Sequence, residues 1–86
     1  MAFDPAIPRS VIERFPDFKE TITRLFRGNE NFQALCEDHQ RCVDALRYWG
    51  RSEKDVAEAR RDEYASILLD LETEISQRLN KIGFLH

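Results

Sequence analysis

The chain has 86 residues, 34% of them charged and 42% hydrophobic, and its 16 acids against 13 bases leave a formal charge of -3. That length allows one domain and no second core, and the apolar share is too high for a disordered tail. An acid excess with no basic block lacks the electrostatic footprint of a nonspecific nucleic-acid binder.

Along the chain, Pro5 and Pro8 make residues 1–9 poor material for regular structure, so they are read as a mobile arm before a single domain over 10–86. Pro16 suits a first helical turn, where its missing N–H costs nothing. The helix predicted there, over 16–27, carries Phe18, Ile22, Leu25 and Phe26 on one side. Gly28 then offers the left-handed geometry of a helix end, and Asn29 can cap the next helix.

A second helix is predicted over 30–49, with Phe32, Leu35, Cys36, Cys42, Val43, Leu46 and Trp49 as its apolar stripe and His39 filling the gap in it. Glu37 and Arg41 stand four apart on its outer side. Gly50 is expected to end this helix. Ser52 and Asp55 resemble a capping box for a third helix over 53–81, about 43 Å long at 1.5 Å per residue. Its stripe is Tyr64, Ile67, Leu68, Leu71, Ile75, Leu79 and Ile82, with Glu74 and Arg78 as an exposed pair. The half near the turn is poorer in apolar residues and should be the looser one.

The connection of a few residues makes the long helices antiparallel. Counting out from it places Leu46 near Val56 or Ala57, His39 near Tyr64, Cys36 near Ile67 and Phe32 near Leu71. The short first helix should cover Ile75, Leu79 and Ile82. The fold class is therefore all-α: an antiparallel, coiled-coil-like helical hairpin with a short N-terminal helix. The apolar surface that a hairpin leaves open calls for a homodimer closing as a four-helix arrangement.

Cys36, His39 and Cys42 are spaced by threes, which places neighbours about 60° apart on one helix face. The two cysteines lie about 9 Å apart along the axis, too far for a disulfide or for one zinc ion to take both thiolates at about 2.3 Å. They read as small apolar fillers of the stripe. A metal- or redox-responsive switch through Cys36, His39 and Cys42 is the alternative. His39 reads as a packed histidine with Tyr64 as its hydrogen-bonding partner; a pH-sensitive seam is its functional alternative.

RYWGR, residues 47–51, sets Tyr48 and Trp49 among arginines at the hairpin tip. Such a Trp closes the end of the core, binds a protein partner, or stacks on single-stranded nucleic acid. SEKDVAEARRDE reads as a solvated face. No Ser-His-Asp pattern, P-loop or phosphate cradle stands out, so no catalytic, cofactor-binding or metal residues are expected, no small-molecule substrate is evident, and an enzyme is not the reading. MAFDPAIPRS has no apolar leader run, no stretch approaches the roughly 20 residues of a membrane span, and two cysteines make no disulfide framework. A cytoplasmic, reduced protein is expected.

RFPDF, RGNENF and LCEDHQRCVDAL, with Leu69, Leu71, Glu74 and Ile75 further on, resemble the YdcH-like proteins, a family of short bacterial helical-hairpin proteins with no assigned activity. The resemblance covers about residues 14–80. It implies His at His39 and apolar residues at Cys36 and Cys42, a self-associating hairpin and no catalysis. Glu72 and Thr73 depart from the family's Lys and Asp. The function expected is a protein–protein interaction and self-association module, offering its surface to itself and to an unidentified protein. A nucleic-acid-associated accessory protein is the alternative from another class.

Overall fold

A computed structural model describes residues 7–85, with side chains as far as Lys81. Every regular element in it is helical: α1 (Arg9–Arg14), one 3-10 turn (Pro16–Phe18), α2 (Lys19–Gly28), α3 (Glu30–Arg51) and α4 (Ala57–Leu85). The long helices α3 and α4 pack along one another as an antiparallel hairpin, and α2 contacts both. α1 is an element that the residue pattern does not announce. Of the expected arm, residues 1–6 lie outside the described residues, while Ile7 packs against the core.

The core lies at the end of the hairpin away from the turn. Val11, Ile22, Phe26, Phe32, Cys36, Ile75 and Leu79 form one buried cluster, with Ile7, Ile12, Phe15, Phe18, Leu25 and Leu35 packed around it. The expected cover over Ile75 and Leu79 is thus supplied by α2 through Ile22 and Phe26. Ile82 lies outside the described side chains. Toward the turn, α4 buries only Ala57, and Val56 stays 51% exposed. That half is the looser one because it has little apolar surface to remove from water.

The helix boundaries follow local hydrogen bonding. Pro16 opens the 3-10 turn and not α2 itself, whose first residue is Lys19. One residue, Asn29, separates α2 from α3; its extended backbone breaks the helix, and its side chain accepts the Phe32 N–H at 3.0 Å. The Gln33 side chain donates back to the Phe26 carbonyl, one of the acceptors that the end of α2 leaves over. Among the described residues no glycine has positive φ, so Gly28 ends α2 without the left-handed turn expected of it.

Gly50 does not end α3 either. It lies inside the helix, which closes at Arg51 when Ser52 turns extended. The Ser52 hydroxyl accepts the Lys54 N–H at 3.2 Å, two residues on. This is a local turn and not the expected capping box, because α4 begins only at Ala57. The longer turn also moves the register. His39 meets Glu72, eight positions beyond the Tyr64 expected opposite it, and Arg61 Nη1 donates to the Trp49 carbonyl at 3.0 Å.

Two substitutions separate these local effects. Asn29→Ala is expected to cost about 1 kcal/mol by removing the α3 cap. Gly50→Ala is expected to stabilise by roughly 0.5 to 1 kcal/mol, since the position is helical and a Cβ there meets nothing within 4 Å. Urea unfolding followed by circular dichroism should show midpoints moving in opposite directions.

Candidate functional site

Each long helix carries one polar residue on its buried side. On α3 it is His39, 1% exposed. On α4 it is Glu72, which takes the place of an apolar residue in the sequence Leu68, Glu72, Ile75, Leu79, spaced by four, three and four. The hairpin brings the two together: His39 Nε2 lies 2.9 Å from Glu72 Oε2. His39 Nδ1 lies 2.8 Å from the hydroxyl of Ser10 on α1. The second Glu72 oxygen accepts from Arg14 Nε at 3.1 Å, and the Arg14 guanidinium stacks over Phe15, 5.0 Å from the ring centre. Gln40 Oε1 accepts the Ser10 backbone N–H at 3.0 Å.

The proton positions follow from the partners. A carboxylate can only accept, so the ring carries its proton on Nε2 toward Glu72. In the neutral ring, Nδ1 then accepts from the Ser10 hydroxyl. Among the described residues, no buried side-chain nitrogen or oxygen lacks a hydrogen bond. One carboxylate thereby ties α1 and α3 to α4.

Serine, histidine and an acid in hydrogen-bonded series are the residue types of a hydrolase triad, and the residue pattern alone shows no such series. Residues 10, 39 and 72 are too far apart in the chain to suggest one. The surroundings, however, supply little for nucleophilic attack. Ser10 is 7% exposed. Its own N–H is taken by Gln40, and the next one, of Val11, by the Pro8 carbonyl at 3.3 Å, so neither stands ready to hold an oxyanion. A cavity of about 280 Å³ reaches Glu72, Arg14 and Leu69 but is lined by neither Ser10 nor His39. The chemistry that this geometry favours is binding one helix to two others.

The structure separates the other expected residues from this site's chemistry. Cys36 and Cys42 are buried thiols, as fillers of the stripe should be. Both His39 nitrogens are engaged by Ser10 and Glu72, and Tyr64 is not the partner. Among the described residues, no group of three or more His, Cys, Asp or Glu is placed to hold a metal ion. Burial pushes the Cys36 thiol up to about 12, with the Glu37 charge adding to it. Burial, then Asp38, also raises Cys42. Such thiols are poor nucleophiles and poor ligands.

At the tip, the Tyr48 and Trp49 rings meet edge to face with centres 4.9 Å apart. Trp49 is half-buried there, while Tyr48 is exposed. The expected Glu37–Arg41 pair gives way to Arg41–Asp38 at 3.0 Å, and Glu74–Arg78 forms at 3.4 Å. Among the described residues, no helix is long and apolar enough to cross a membrane.

Comparisons with protein-family models, with curated proteins and with solved structures return no match. The resemblance to the YdcH-like proteins therefore stands on the residues quoted for it.

His39→Ala leaves Ser10 and Glu72 without their shared partner and opens a cavity; it is expected to cost about 3 kcal/mol in urea unfolding. Ser10→Ala should cost about 1 kcal/mol, and a double-mutant cycle between the two should show clear coupling. A thiol whose folded pKa is raised stays protonated where the unfolded chain ionises. Its contribution is complete below the unfolded value of about 8.5 and is lost as pH rises toward 12. Cys36→Val should therefore lessen the fall in melting temperature above pH 9.

Proposed function

We propose that the chain is a small self-association module that acts by presenting a helical surface, without catalysis. The observation that carries this reading is a row of apolar residues that α1 leaves uncovered on one side of the hairpin. α1 docks on the side marked by Gln40 and Glu72. At 100° per residue, Trp49 of α3 and Tyr64, Ile67 and Leu71 of α4 fall across the seam from it, while Leu46 lies at the seam, about 20° from His39. There Trp49, Tyr64 and Leu71 are half-buried, and Ile67 is 47% exposed. Apolar residues left part-exposed along one side of a small domain favour an interface.

A second copy fits this side well. The same apolar row on each of two copies would close a four-helix arrangement about a twofold axis, and a chain of 86 residues gains from such added burial. The charged residues beside the row, among them Arg60 with Glu63 and Arg78 with Glu74, would form a polar rim. The resemblance to the YdcH-like hairpins supports the same reading.

Light scattering at micromolar concentration, in reductant, tests it. A dimer is expected, and Ile67→Glu should turn it into a monomer with unchanged helical circular dichroism. A wild type that stays monomeric up to about 100 µM, or an Ile67→Glu dimer of wild-type stability, overturns the proposal.

A further inference from the structure

The segment Ile7–Phe15 sits on the hairpin as a docked peptide would. α1 has six residues, far short of the dozen or so that an isolated helix needs in water, and Pro8 and Pro16 bracket it. Its order must come from the surface beneath it. That surface is built by two helices remote in sequence and reads α1 at three polar points. Gln40 accepts the Ser10 N–H, His39 takes the Ser10 hydroxyl, and Glu72 accepts from Arg14. Between these points Val11 is fully buried.

Two further features favour a separable contact. A single residue, Phe15, with φ -127° and ψ 62°, joins α1 to the next turn, so the chain changes direction there and α1 is not an extension of α2. The floor is polar at His39, Gln40 and Glu72 and apolar beneath Val11, which shares the core with Phe32 and Cys36, and its polar part tolerates exposure. When α1 leaves, His39 and Glu72 retain one another at 2.9 Å, and water can replace Ser10 and Arg14. The apolar part gains no such compensation, so release of α1 costs the burial of Val11.

We propose that the groove made by His39, Gln40 and Glu72 is a recognition site for a helical segment with serine, an apolar residue next to it, and arginine four positions after the serine. Its occupant in trans is α1 of a second copy of this chain. The site lies on the opposite side from Trp49 and Ile67 and does not rest on the interface proposed there. With both in use, one copy could engage two neighbours.

The test uses a fluorescein-labelled peptide of residues 7–18, titrated by fluorescence anisotropy into the full chain. In the receiver Ser10→Ala/Arg14→Ala, the chain's own α1 is weakened and the groove is intact. This receiver is expected to bind the peptide at least about tenfold more tightly than wild type, whose own α1 competes. Adding Glu72→Ala to the receiver should abolish binding, as should a peptide carrying both alanines. Three results overturn the proposal: no binding by a receiver that retains helical circular dichroism, equal binding after Glu72→Ala, or loss of the receiver's helix content. The last would mean that α1 is inseparable from the hairpin. The light-scattering result with Ile67→Glu is read separately, so failure of one proposal is not failure of the other.

Discussion

A carboxylate placed in an apolar helix stripe must find a donor, and much of this structure depends on how Glu72 does so. Its two oxygens face different helices, one toward His39 of α3 and the other toward Arg14 of α1. Left unpaired, the same group would cost several kcal/mol on burial. The pairing therefore acts as a constraint on register. Were His39 opposite Tyr64, as counting out from the turn suggests, the same count would set Glu72 opposite Asn31 and away from His39. In the register observed, Ile75 and Leu79 share a core with Phe32 and Cys36.

The molecule is thus unevenly built along its length. At the end capped by α2 the interior is apolar. At mid-length it is polar and fully hydrogen-bonded. Toward the turn it is thin, with Ala57 the one buried residue of that end of α4 and the Trp49 carbonyl held by Arg61. The rigid end positions the helices, and the polar middle decides which segment can lie across them.

Much of the architecture is legible from residue pattern. The threes and fours of Phe32, Cys36, His39 and of Leu68, Leu71, Ile75, Leu79 mark two long helices, Asn29 marks the break, and the short connection makes them antiparallel. Cys36 and Cys42 read correctly as fillers because their axial separation of about 9 Å comes from helix geometry alone. The turn misleads for a local reason. Gly50 can end a helix but need not, and Ser52 can cap a helix or close a turn with the same hydroxyl. α1 escapes notice because six residues between prolines carry too little periodicity to register. A signal for the buried site is present: one polar residue interrupts each long stripe, at 39 and at 72. Two such interruptions on helices that must pack together are candidates for each other.

The sequence by itself determined that this protein is a pair of amphipathic helices with a shorter helical cover, since those properties depend on contacts within a few residues of chain. Only the tertiary structure decided which positions oppose one another. Register depends on the turn's true length and on pairings between residues 29 to 58 positions apart, and neither is encoded in any local period. For the same physical reason the Ser10–His39–Glu72 link, and with it the groove that holds α1, exists only once three separate segments have been brought together.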